Sequence, residues 1–203
     1  MWTTDNVPGS ARSAPSPERT TIFRTALRHL FCFSSLTSAD LTTTGGFDLD
    51  DALLVELARA WPNIKEFDLR AELMSSAGCR VTLSGLCVLA RLCPALVVAG
   101  VELTTFTIPS LASVLGGGQQ SAPALSELRV GYSPILDPFL VAGFLSATFP
   151  KITKVFAAYL DGFEIDDPTD PERERDALLY YFRWTLVDEE LSKTRALSSN
   201  KGL

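Results

Sequence analysis

Apolar residues recur at helical spacing in successive stretches of this chain, and each stretch stops at a proline and gives way to a short run of alternating character. Leu49, Leu53, Leu54, Leu57, Ala58 and Trp61 form the first such stripe, ending at Pro62. Leu83, Leu86, Cys87, Ala90 and Cys93 form the next, ending at Pro94. Leu140, Val141, Phe144 and Leu145 form another, ending at Pro150. A period near 3.6 predicts amphipathic helices, each with one face for a core. Their starts carry capping residues: Asp48, Asp50 and Asp51 before the first, Thr82 or Ser84 at the second, and Asp137 followed by Pro138 at the last. A shorter helix is expected over Pro109–Leu115, ended by Gly116, Gly117 and Gly118. Proline cannot continue a helix and holds the preceding residue extended, so the chain should turn at each proline and enter a strand.

The units repeat. Leu57-Ala58-Arg59-Ala60-Trp61-Pro62-Asn63-Ile64 reappears as Leu89-Ala90-Arg91-Leu92-Cys93-Pro94-Ala95-Leu96. Pro62, Pro94, Pro123 and Pro150 mark four units at intervals of 32, 29 and 27 residues. A fifth copy fits upstream, with Leu36 standing 28 residues before Ile64. Ile64, Phe67 and Leu69 then align with Leu96, Ala99 and Val101, with Leu125, Leu128 and Val130, and with Ile152 and Val155. Helix, proline turn, strand and loop repeated at this period predict an α/β solenoid, a curved parallel sheet with outer helices and about five repeats, and the units look like leucine-rich repeats of the longer type. Residues 1–20, rich in Pro and Ser with little apolar content, read as a disordered tail. The repeat domain covers 21–160, an acidic loop 161–171, and a C-terminal helix and tail 172–203. That helix, with Leu178, Leu179, Phe182, Trp184, Leu186 and Val187, is expected to cap the open end of the stack, the alternative being a partner-binding helix.

Strand cores of the form L-x-x-L-x-L, joined to Phe47-Asp48-Leu49-Asp50-Asp51-Ala52-Leu53-Leu54, Arg80-Val81-Thr82-Leu83-Ser84-Gly85-Leu86 and Val130-Gly131-Tyr132-Ser133-Pro134-Ile135, resemble the repeats of fungal F-box and F-box-like leucine-rich-repeat proteins. The similarity spans about residues 22–160. It implies a substrate-recognition subunit of an SCF-type ubiquitin ligase, with a ubiquitin-ligase adaptor as a further partner. An F-box is an apolar three-helix element, usually ahead of the repeats, and none is found here. The chain therefore reads as the repeat part of such a protein or as a free-standing module, the alternative being a truncated remnant without binding function of its own. The Asn that these repeats use to hold the loop after the strand is replaced by Thr44, Glu72, Thr104 and Ser133.

Charge narrows the partners. A net charge of -6 argues against nucleic acid or an anionic membrane as the main partner, and no apolar run approaches the roughly 18 residues of a membrane span. Cys32, Cys79, Cys87 and Cys93 lack C-x-x-C spacing and read as reduced thiols of an intracellular protein, cytoplasmic or nuclear. The single histidine, His29, has no nucleophile motif beside it. No Cys/His cluster has zinc spacing, and the triple glycine lacks the Lys-Ser/Thr of a phosphate loop. The expectation is a non-catalytic binding module without cofactor or metal.

Its binding surface would be the concave sheet face, where side chains alternate with core residues along each strand. The residues placed there are Lys65, Glu66, Asp68, Arg70, Val98, Glu127, Arg129, Tyr132, Lys154 and Phe156, with Tyr132 or Phe156 as the aromatic anchor of a protein partner. A mildly apolar centre with a charged rim is expected.

Overall fold

The computed structural model describes residues 21–72, 80–112, 123–158 and 171–199. The expected N-terminal tail, the acidic loop up to residue 170 and the second half of the expected third helix lie outside these residues. The first helical elements among the described residues are a short helix α1 (Arg24–Arg28) and a 3₁₀ turn (His29–Cys32). Five strands follow, β1 (Ser38–Thr43), β2 (Glu66–Ala71), β3 (Val98–Val101), β4 (Glu127–Gly131) and β5 (Lys154–Ala157). The helices between and after them are α2 (Asp51–Ala60), α3 (Leu83–Leu92), α4 (Pro138–Thr148) and α5 (Pro171–Ser199).

The strands form one five-stranded sheet in the order β1-β2-β3-β4-β5, every neighbouring pair parallel. Phe67 pairs with Ala99, Ala99 with Leu128, and Leu128 with Val155, the register given by the sequence repeat. One residue before the strands, a second ladder runs through equivalent positions: Lys65 N–H donates to Thr37 O (2.8 Å), Val97 to Lys65 (2.8 Å), Ser126 to Val97 (2.9 Å) and Thr153 to Ser126 (2.7 Å). The turns between helix and strand are also copies of one another. Trp61, Cys93 and Phe149 each precede a proline, hold φ between -117° and -124° with ψ between 61° and 78°, and donate their N–H to the carbonyl four residues back. A following proline disfavours the helical region at the residue before it, so the helix ends there in each unit.

The helix starts are capped as the sequence predicts. Asp50 accepts from Leu53 N–H, Thr82 from Ser84 and Gly85, and Asp137 from Phe139 and Leu140 with Pro138 in the first turn. Adjacent units are tied together there, because Asp51 accepts from Thr82 N–H (2.8 Å) and from Thr82 Oγ1 (2.7 Å). The apolar stripes of α2, α3 and α4 meet the inward residues of the strands in one continuous core that includes Leu57, Trp61, Phe67, Leu89, Leu128 and Phe144. Leu140 departs from the predicted stripe. It is 61% exposed, and Ala142 and Thr148 take inner positions of α4 instead.

Helix α5 packs on α4 and β5, burying Ala177, Trp184, Val187 and Leu191. Asp188 Oδ1 accepts the outward N–H of Val155 (2.8 Å), so the helix covers the β5 edge of the sheet. Leu179, Phe182 and Leu186, expected in the same apolar surface, lie on its other side and are exposed. Ser133 ties the loop after β4 to its neighbours. It is fully buried, accepts from Leu103 N–H (2.7 Å) in the preceding unit, donates its hydroxyl to Val130 O, and offers its own carbonyl to Trp184 Nε1 (2.9 Å). No helix among the described residues is long and apolar enough to cross a membrane.

Candidate functional site

Alternation along the strands divides the side chains into two sets. Phe67, Leu69, Ala99, Val101, Leu128, Val130 and Val155 point into the core. The other set forms two rows across the sheet. Ser38, Glu66, Val98, Glu127 and Lys154 make the first, and Asp40, Asp68, Gly100, Arg129 and Phe156 the second. Ser38, Asp40, Glu66, Lys154 and Phe156 are exposed, while Val98, Glu127 and Arg129 are half-buried. Lys65 stands exposed just ahead of β2. The rows hold seven of the ten sequence-predicted residues, and Arg70, two positions beyond Asp68 and bonded to it, makes eight on this side of the sheet; Lys65, with the parity of Phe67 and Leu69, lies just ahead of the strand and is not in the rows.

The centre of this face is ionic, which corrects the expectation of an apolar centre. Asp68 is only 3% exposed. Arg70 Nε and Nη2 donate to its two carboxylate oxygens (2.5 and 2.8 Å), and Arg129 Nη1 reaches it from β4 (2.9 Å). Arg129 Nε also donates to Glu127 (2.6 Å). Gly100 makes the reach across β3 feasible. A Cβ at that position would stand 2.1 Å from Asp68 Oδ1, so the carboxylate occupies the space that a side chain would fill. Two guanidinium groups thus share one buried carboxylate over a glycine floor, and the hydrogen bond from Arg129 to Asp68 raises the Arg129 pKa further above its usual value. The cluster of Arg70, Arg129, Asp68 and Glu127 is neutral in sum. Charge-assisted bonds of this kind hold side chains in fixed geometry more than they attract a partner.

Phe156 is the aromatic residue this face offers. It is 47% exposed, and Lys154 Nζ lies 6.0 Å from its ring centroid. Tyr132, expected beside it as an anchor, is buried instead, and its hydroxyl donates to Glu72 O (3.3 Å). It follows Gly131, whose φ of 56° ends β4, and it has the parity of the core residues Leu128 and Val130.

Glu102, at the end of β3, was not among the predicted site residues. Its Oε1 is buried and has no hydrogen-bond partner among the described residues. Burial pushes its carboxyl up to about 7, against the opposing pull of the Tyr132 backbone N–H and the Arg70 charge. It borders a cavity of about 20 Å³ that is also lined by Phe47, Leu69, Arg80 and Val101. That is room for about one water, far below the several hundred Å³ of a ligand pocket. Among the described residues, no group of three or more His, Cys, Asp or Glu could hold a metal ion. His29 lies exposed in the 3₁₀ turn.

This arrangement supplies shape, hydrogen-bond donors and one accessible aromatic ring on a rigid floor. A search against models of known families and a search of curated proteins each return no match for this chain.

Proposed function

We propose that this chain is a leucine-rich-repeat solenoid acting as a non-catalytic protein-binding module, with the open sheet face as its recognition surface. The observation that carries the reading is the pair of side-chain rows crossing all five parallel strands, with the helices packed in the core on the other side. Arg70 and Arg129 are pinned by Asp68, so their remaining N–H groups meet a partner without first losing rotamer freedom. Phe156 and the aliphatic stem of Lys154 supply the apolar contact, and Glu66 and Lys65 the polar margin. The resemblance to F-box-like repeats makes the partner a protein destined for ubiquitin transfer, inside the cell, with an SCF-type adaptor engaged elsewhere. The free thiols Cys32, Cys87 and Cys93 agree with an intracellular setting.

The test is cross-linking from a photoreactive group placed next to Phe156, in cell extract, followed by identification of the captured protein. The Phe156→Ala variant and the Lys65→Glu, Arg129→Glu pair should each lose the capture. Capture that survives both, or that occurs equally from a probe on the outer surface of α2, would refute the assignment of this face. Recovery of a cullin adaptor together with the captured protein would support the ligase role.

A further inference from the structure

The recognition face leaves a second exposed surface unaccounted for, on the far side of α5. The inner stripe of this helix is Ala177, Trp184, Val187 and Leu191, all buried. A second stripe, half a turn away, recurs in steps of four and three residues: Arg175, Leu179, Phe182, Leu186, Glu189 and Lys193. Its apolar members are 41% (Leu179), 60% (Phe182) and 39% (Leu186) exposed. One apolar stripe suffices to seat a helix on its own domain, and this helix carries two. The ring of Tyr181 packs edge-on against Phe182 at 5.6 Å between centroids, bracing it in its outward position.

The order of charges along the stripe says what can cover it. Glu172 and Arg175 stand toward one end and Glu189 and Lys193 toward the other. Laid antiparallel on a second copy about a two-fold axis at Phe182, Arg175 faces Glu189, Glu172 faces Lys193, Leu179 faces Leu186, and Phe182 faces its own mate. The first three pairings each occur twice, and the Phe182 pair sits once, on the axis. A parallel arrangement would put every charge against its like. Lys193 is already bonded to Glu190 of its own helix (2.7 Å), an exposed pair that can be shared at little cost.

We propose that this outer stripe of α5 is a homodimerisation face that pairs antiparallel with the same helix of a second copy. The segment from Glu172 to Lys193 is roughly 32 Å long at about 1.5 Å per residue, and a single helix pair of that length covers less than the ~800 Å² per partner of a standard interface. The dimer is therefore reversible and concentration-dependent.

Sedimentation velocity of the full chain over a wide concentration range tests this. A monomer–dimer equilibrium is expected, and Phe182→Asp should weaken it about tenfold or more. Arg175→Glu and Glu189→Arg should each weaken it, and the double variant should regain the original association. All three positions are exposed, and matching circular-dichroism melts verify that the variants fold. The proposal is overturned if the chain stays monomeric throughout, if Phe182→Asp leaves the dimer intact, or if the double swap fails to restore it. It is equally overturned if a monomeric chain binds lipid vesicles and Phe182→Asp abolishes that binding, which would assign the stripe to a lipid surface.

Discussion

Replacing Glu102 by Gln should remove a pH dependence of stability that belongs to this one side chain. The carboxyl has an ordinary value of 4.5 and is pushed up to about 7 in the folded chain, chiefly because burial penalises its charged form. Below pH 4.5 it is protonated in both folded and unfolded chains. Between 4.5 and 7 the unfolded chain releases the proton while the folded chain keeps it, so stability falls as pH rises; above about 7 the loss is complete. A displacement of that size is worth about 3 kcal/mol at ~1.4 kcal/mol per pKa unit, and partial exposure of the side chain reduces it to about 2 kcal/mol. Glutamine keeps an oxygen for the Tyr132 N–H and carries no charge. Its amide nitrogen, placed where Oε1 has no partner, imposes a constant penalty of about 1 kcal/mol that does not vary with pH. Urea unfolding midpoints of both chains from pH 4 to pH 8 isolate the effect, since every other titrating group is common to both. The difference between variant and parent should move in the variant's favour by about 2 kcal/mol across that window. Parallel stability curves, or a difference that moves the other way, would refute the burial of this carboxyl.

Gly100→Ala should drive the Asp68 carboxylate from its seat and cost about 2 kcal/mol, and the penalty should shrink in an Asp68→Ala background, as a double-mutant cycle by urea denaturation would reveal. Asp68→Ala alone leaves Arg70 and Arg129 half-buried without their shared partner, and a loss of about 3 kcal/mol is expected in the same assay. Trp184→Ala, at a side chain 1% exposed, should cost about 3–5 kcal/mol in thermal or urea unfolding. Thiol labelling at pH 8, mapped by peptide mass, should modify exposed Cys32 first, while Cys93 (thiol pushed up to about 11 by burial) and Cys87 (to about 12) react only as the chain unfolds. The unmutated chain should melt in one cooperative transition, because the units share one core; a gradual melt would favour a remnant incapable of independent folding.

The proline-punctuated units were legible because helix period, proline stop and strand alternation are all local properties. Trp61, Cys93 and Phe149 adopt nearly the same backbone conformation because each meets the same constraint from the next residue. The register of β2, β3 and β5 followed from them, since closely similar turns feed those three strands. The alternation of Glu66, Asp68 and Arg70 with Phe67 and Leu69 placed the face correctly. What sits deep within that face was not legible. The burial of Asp68 depends on a glycine one strand away and an arginine two strands away, and neither is near it in sequence. Opposite charges two residues apart, Asp68 with Arg70 and Glu127 with Arg129, were the available signal for such a cluster. Tyr132 has the parity of Leu128 and Val130, so alternation carried past β4 already places it on the core side, where the structure buries it; its nomination as an anchor rested on its aromatic type instead of its phase. The two stripes of α5 were merged into one surface for a related reason: composition counts apolar residues, whereas only phase around the helix separates Trp184 from Phe182.

Ser133 joins three parts of the molecule at a single buried point, through Leu103, its own strand end at Val130, and the indole of Trp184. Detachment of the last helix would strip the carbonyl of that residue and loosen the hydroxyl that holds Leu103. Damage at the C-terminal margin is thereby transmitted inward to the third strand, so the array is expected to lose its final helix and its middle together instead of fraying from the end.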